Sequence, residues 1–174
     1  MTTNVNRSTT NQSVFSRIRR NHGLEHATIH ILSRRLPKMS LAGYSDSRGF
    51  WLLGDIPTEE VRPAVEEALR RLRAGEKDLA IHPNCGTNFV TAGSVAGIAA
   101  AAAMLTSGRR WQDKLERVPL AMTVATFGLM LAQPLGFFLQ EHVTTSGDPG
   151  GMEIMEIIPT RRGRLKAHRV LTRR

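Results

Sequence analysis

The chain has 174 residues, with 24 Lys and Arg against 15 Asp and Glu, a formal charge of +9 with histidine neutral. That length holds one ordinary domain and little more, and the single cysteine, Cys85, excludes an intramolecular disulfide framework. Aromatic residues make up 5% of the chain, too few for a base-stacking surface, so the positive charge points to an anionic lipid surface ahead of nucleic acid.

Residues 1–13, MTTNVNRSTTNQS, are polar and lack the apolar region of a secretory signal, which predicts a disordered tail. Residues 14–35 predict a helix. Phe15, Ile18, Ile29 and Leu32 recur at helical spacing, Ser13 can cap the start, Gly23 weakens the middle, and Pro37 follows the end. Over 40–56, SLAGYS and GFWLLGDI flank Asp46-Ser47-Arg48 and predict a β-hairpin. A second helix spans 58–75, with Thr58 as N-cap, Glu59 and Glu60 in its first turn, and Gly75 as its stop. Its buried stripe is Val61, Val65, Leu69 and Leu72. A short strand is expected over 78–82, ahead of the loop HPNCGTN.

Two runs without a charged residue follow, 89–108 and 118–140, joined by the charged segment 109–117. Each reaches the roughly 20 residues that a spanning helix needs. They read as a transmembrane hairpin; two core helices of a soluble protein are the alternative, and the alanine-rich first run gives it weight. Gly93, Gly97 and Ala101 form a small-residue face on which helices can approach closely, and Trp111 is placed as an interfacial anchor. Arg109, Arg110, Lys114 and Arg117 in the connection balance Arg70, Arg71, Arg73 and Lys77 before the first run. Orientation is therefore read from the missing export signal and the basic C-terminal end, which favour a multi-pass protein of the inner (cytoplasmic) membrane with both termini cytoplasmic.

Residues 141–174 begin with the turn-rich TTSGDPGG. MEIMEIIP and LKAHRVLT then alternate across TRRG, predicting a β-hairpin that joins the first one. The fold class is α+β: a small antiparallel sheet with about two helices, its two parts, 14–88 and 141–174, separated by the membrane hairpin 89–140. Arg161, Arg162, Arg164, Lys166, Arg169, Arg173 and Arg174 make the end basic. A solvated hairpin beside anionic headgroups fits this better than nucleic-acid binding, for which no recognition motif accompanies the charge. The expected partners are the lipid bilayer and other membrane proteins or further copies of the chain.

Chemistry concentrates in two segments. HGLEHATIH places His22, His26 and His30 near one helix face. HGLEH also fits H-x-x-E-H, in which two histidines bind zinc and the glutamate, here Glu25, is the general base. His82-Pro83-Asn84-Cys85 offers an imidazole and a thiolate at metal-ligand spacing, on a tight loop marked by Pro83 and Gly86. Together the segments hold four of the six histidines and the only cysteine. The candidate ligands are His22, His26, His82 and Cys85 for a divalent metal, zinc first, with Glu25 as candidate base. The bland reading is a satisfied structural cluster. His142 and His168 stand apart, and Asp148-Pro149-Gly150-Gly151 reads as a turn.

HGLEHATIH followed by HPNCGTNF at the start of an apolar run resembles the YqhQ-like bacterial membrane proteins, predicted metal-dependent enzymes of no established reaction. The chain is more closely similar to an uncharacterised relative of these, a short family with the same two motifs, a hairpin-plus-helix insert between them and two spans. That resemblance covers the layout of residues 20–171, but its specific content is the two motifs. It implies motif roles for His22, Glu25, His26, His82 and Cys85, with His30 less securely part of the pattern. The downstream glutamate that inverzincin proteases use as third zinc ligand has no counterpart, so the resemblance does not imply protease activity. Two functions fit: a membrane-embedded zinc-dependent hydrolase using Glu25 as base, and a non-catalytic scaffold or assembly protein with a structural metal site. A basic membrane adaptor without metal is the third reading.

Overall fold

The computed structural model describes residues 13–105, 107–108 and 110–173; the expected tail over 1–12, Arg109 and Arg174 lie outside the described residues. Among the described residues the elements in chain order are α1 (Val14–Arg35), β1 (Ala42–Asp46), β2 (Gly49–Leu53), α2 (Thr58–Arg73), a 3-10 turn (Lys77–Ala80), α3 (Gly86–Leu105), α4 (Trp111–Leu139) continuing into a π-helical turn (Gln140–Thr144), β3 (Glu153–Arg162) and β4 (Leu165–Arg173).

The strands form one antiparallel sheet in the order β1-β2-β4-β3. The C-terminal hairpin thus joins the first one, and the fold is α+β as the alternation implied. Side chains of successive strand residues point to opposite faces. Phe50 and Leu52 of β2, with Val170 of β4, are fully buried on the face that α1 and α2 cover. Leu24, Ala27, Ile31 and Leu32 of α1 meet Val61, Val65, Leu69 and Leu72 of α2 in the same cluster. Each buried Val or Leu contributes roughly 1.5–3 kcal/mol, so this two-layer core can hold the domain together. On the opposite face Tyr44 stacks on Trp51, and the Arg162 guanidinium lies 4.4 Å from the Trp51 ring centre.

α1 starts as the sequence predicts, with the Ser13 hydroxyl accepting the Ser16 N–H at 3.2 Å. α2 is capped differently: Pro57 takes the cap position, and the Thr58 hydroxyl is used 3.0 Å from His168 Nε2 instead. Gly75, at φ +95°, ends this segment as expected; its N–H donates to the Leu72 carbonyl at 3.0 Å.

The expected strand over 78–82 does not form. Leu79 and Ala80 are buried in the core, and the Ala80 and Ile81 carbonyls accept from His26 and His30 of α1, at 2.7 and 2.8 Å. With those acceptors taken by side chains, the segment has no ladder to join, and it closes as a 3-10 turn.

The apolar runs are helical with shifted limits. α3 begins at Gly86, ahead of the charge-free run, and α4 already begins at Trp111, so most of the segment expected as a loop is helical. Asp113 makes this possible by accepting the Arg110 N–H at 3.2 Å. The two helices pack antiparallel: Gly128 lies against Ala96 and Gly136 against Asn88. The close approach therefore uses Gly128, Ala132 and Gly136 of α4, which are buried. Gly93 and Gly97, expected on such a face, look into open space. Only 11% of the apolar window of α3 and 17% of that of α4 are buried, so neither is a core helix within this chain. Both are long and apolar enough to cross a membrane.

Candidate metal centre

α1 brings His22 and His26 onto one face, their ring centres 4.4 Å apart in an edge-to-face arrangement. Each is fastened through Nδ1 to a backbone carbonyl, His22 to Thr144 at 2.9 Å and His26 to Ala80 at 2.7 Å. A carbonyl only accepts, so Nδ1 carries a proton in both rings, and in the neutral form Nε2 is the nitrogen left with a lone pair. Cys85 arrives from the turn ahead of α3, which closes with the Cys85 N–H donating to the His82 carbonyl at 3.2 Å. Its Sγ lies 3.5 Å from His22 Nε2. One donor atom from each of His22, His26 and Cys85 lies within 4.8 Å of the others.

His26 and Cys85 are buried, and His22 is half-buried. Burial pushes the Cys85 thiol up, but the hydrogen bond and charge of His26, with hydrogen bonds from Thr87, outweigh it and hold the pKa below its ordinary value. That favours the thiolate, the form that binds metals. Two imidazoles and a thiolate converging in this way can hold a metal ion.

His82 stands beside this trio, its ring centre 5.7 Å from that of His26 and 4.8 Å from that of His30. Its Nδ1 accepts the Asn84 N–H at 3.2 Å, so the neutral ring carries its proton on Nε2. Burial, reinforced by His30 and His26, lowers its pKa to about 4, which keeps it neutral. His30 donates from Nε2 to Ile81. Both rings extend the row of imidazoles along α1, and neither belongs to the converging set. His142 stacks on Phe138 and His168 lies buried on β4, both outside that set.

Glu25 faces β1. Its carboxylate accepts the Ser45 hydroxyl at 2.6 Å and presses on Gly43, where a Cβ would come within 2.5 Å of Oε1. Burial raises its pKa to about 7, against the lowering effects of the Ser45 hydrogen bond and the His22 charge. A carboxyl group tuned to that range can give or take a proton at neutral pH.

Several supporting groups carry no signal in the sequence. The carbonyls of Thr144, Ala80 and Ile81 are backbone atoms, and any residue type would supply them. Asn88 sits inside HPNCGTNF and donates to the His82 and Pro83 carbonyls. Gln140 is a fully buried polar residue at the end of an apolar helix. A polar group placed there is a recognisable signal, though not one that names its partner.

Residues 17–157 match DUF6391, a domain of unknown function. An uncharacterised protein of Picosynechococcus sp. is 38% identical over 139 residues, which cover 74% of this chain and 66% of that protein. The chain therefore spans just under two thirds of the length of that relative. No solved structure matches. With a match that runs from α1 through the whole apolar hairpin into β3, the chain belongs to the DUF6391 family.

Proposed function

We propose that this protein is a two-span protein of the cytoplasmic membrane that binds a divalent ion, zinc first, on His22, His26 and Cys85, and hydrolyses its substrate with Glu25 as base. The observation that carries the reading is the orientation of the two imidazoles. Each is locked through Nδ1 to a backbone carbonyl, His22 Nε2 lies 3.5 Å from Cys85 Sγ, and one donor atom of His26 lies within 4.8 Å of the other two donors. Metal-ligating histidines are held in this way. Three protein donors leave a position open for substrate or water, the pattern of catalytic sites. A bound ion supplies Lewis acidity there. Glu25, less than one helical turn from His22, is buried with a pKa of about 7 and can take a proton. The likeness of HGLEH and HPNCGTNF to the YqhQ-like predicted metal-dependent enzymes supports the same reading.

The membrane assignment rests on exposed apolar surface. Phe89, Val90, Ile98, Leu105, Phe127 and Leu131 are each more than half exposed on the hairpin. Patches of that kind mark a membrane or an interface, and the lengths of the two helices fit a bilayer. The hairpin starts and ends at the folded domain, so a spanning hairpin would leave that domain on one side, which we read as the cytoplasmic side. The cluster sits at this junction: Cys85 directly precedes α3, and Thr144, whose carbonyl holds His22, ends the π-turn.

Metal content by mass spectrometry tests the centre, with untagged protein in mild detergent beside a His22→Ala/His26→Ala variant. Near-stoichiometric metal in the wild type only supports it; a metal-free, folded wild type sinks it. Glu25→Gln should abolish hydrolysis of any ester or peptide substrate found and retain the metal. The second reading, a structural site, is favoured by the way Glu25 is engaged by Ser45 and packed on Gly43 and is not one of the converging donors. The two readings separate on chelation. A structural site lets the domain unfold when the metal is stripped, whereas the catalytic reading expects the α1–α2–sheet core to stay folded.

A further inference from the structure

α4 does not end as an α-helix. At Gln140 it widens into a π-turn over Gln140–Thr144, and such turns are frequent at functional sites. The turn is closed by Thr145, whose N–H and hydroxyl both donate to the Gln140 carbonyl, at 2.9 and 2.8 Å. Arg19 of α1 fastens it from outside, donating to the carbonyls of Thr145 and His142 at 3.0 Å each. The result is that the Thr144 carbonyl meets His22 Nδ1.

The Gln140 side chain does the corresponding work on the other ligand segment. It is fully buried. Its Oε1 accepts the His82 N–H at 2.8 Å, and its Nε2 donates to Asn88 Oδ1 at 2.8 Å. Asn88 Nδ2 then donates to the Pro83 and His82 carbonyls, at 2.8 and 3.3 Å. The turn that carries Cys85 is therefore gripped by both apolar helices. A buried primary amide is costly unless its hydrogen bonds are made. Here one bond goes directly to the segment that positions a metal donor, and the other reaches it through Asn88.

We propose that Gln140 is the positioning residue of the metal centre: through it, the π-helical end of α4 sets where Cys85 stands relative to His22 and His26. The inference rests on the metal reading above and specifies how the hairpin controls that site.

The test is a cobalt(II) titration of the full-length protein in detergent, read by the sulfur-to-cobalt charge-transfer absorption and by affinity. Gln140→Leu should weaken binding roughly 10–100-fold, the range for lost support of a ligand. The charge-transfer band should fall while imidazole ligation persists. In metal-free protein, alkylation of Cys85, which is 5% exposed, should speed up several-fold. Val65→Ala, in the core of the same domain, is the control. It lowers stability and should leave band and affinity at wild-type values. If Gln140→Leu does not fold, Asn88→Ala removes the same grip and should show the same losses. Wild-type band, affinity and alkylation rate in both grip variants overturn the proposal, as does equal loss in Val65→Ala. A wild type that binds no cobalt removes the metal reading itself, a result distinguishable before any variant is made. The alkylation rates then decide alone whether Gln140 fixes Cys85, and unchanged rates overturn it.

Discussion

Gly23→Ala puts the packing of the centre at risk through a single methyl group. In the interior of an ordinary helix this change stabilises by about 0.5–1 kcal/mol, because alanine loses less backbone freedom on folding. Here a Cβ on residue 23 would stand 2.1 Å from the Ser146 carbonyl oxygen and 3.0 Å from its carbon. Both are main-chain atoms and cannot swing aside as a side-chain tip would. The segment must retreat by more than an ångström, although the Ser146 N–H is anchored to the Arg19 carbonyl at 3.0 Å. Overpacking of this kind costs about 1–3 kcal/mol. With the propensity gain subtracted, a net loss of roughly 1–2 kcal/mol is expected. Retreat also draws the Thr144 carbonyl away from His22, so metal affinity should fall about tenfold, the lower end for lost support of a ligand. Denaturant unfolding followed by Trp51 fluorescence in a Trp111→Phe background measures the first effect, and cobalt titration the second. A Gly23→Ala protein that is more stable, with unchanged affinity, would refute the packing of the 144–146 segment on α1.

Three further outcomes are expected. Glu25 has its folded-state pKa raised from 4.5 to about 7; such a group favours folding below the unfolded value and loses that contribution as pH rises through the folded one. The metal-free wild type should therefore lose on the order of 3 kcal/mol between pH 4.5 and 7 from this group, and Glu25→Gln should flatten that slope in denaturation series at the two pH values. His30→Ala and His82→Ala should keep near-stoichiometric metal, since neither ring belongs to the converging set, whereas Cys85→Ser should lose most of it; mass spectrometry decides, and metal loss in His82→Ala would mean a closed four-ligand site. Gly128→Val should lower the thermal midpoint in detergent, because a Cβ there already meets Ala96 Cα at 3.2 Å, while Gly97→Val, facing open space, should leave it unchanged.

The elements with strong periodicity were legible. The α1 helix, both hairpins and the charge-free runs follow from spacing and composition, and the two motifs point to His22, His26, His82 and Cys85, of which the fold brings His22, His26 and Cys85 together. What failed to read was short or made of backbone. LAIH is apolar enough to pass for a strand, and a run of that length has no period to separate it from a tight turn. Only the α1 histidines, by claiming the Ala80 and Ile81 carbonyls, decide the matter. The hydroxyl of Thr58 was read as a cap because sequence shows Glu59 and Glu60 after it; the fold spends it on His168, 110 residues away. The small-residue face was seen on the wrong helix, since glycine spacing shows that close packing is possible and not which neighbour takes it. Ser45 and Gly43 gave no hint of Glu25, because that contact depends on how β1 crosses α1.

The packing of the hairpin also explains why the His22, His26 and Cys85 cluster forms at its base. Gly128 meets Ala96, and Gly136 meets Asn88, so eight residues forward on α4 match eight residues back on α3. Continuing at the same offset brings Gln140 level with Asn84, inside the turn that carries Cys85. Its hydrogen bond to the His82 N–H is thus a consequence of helix register. The register is held by side chains that are nearly absent: Gly128, Ala132 and Gly136 allow backbone contact, and any larger residue would separate the helices. A slip of one residue would rotate Gln140 by about 100° around the helix axis and carry its amide off the turn. The distance between the donors is therefore set partly by glycines buried in the apolar hairpin. That makes the hairpin a part of the proposed metal centre, and the small residues of α4 belong with His22, His26 and Cys85 in how it would be built.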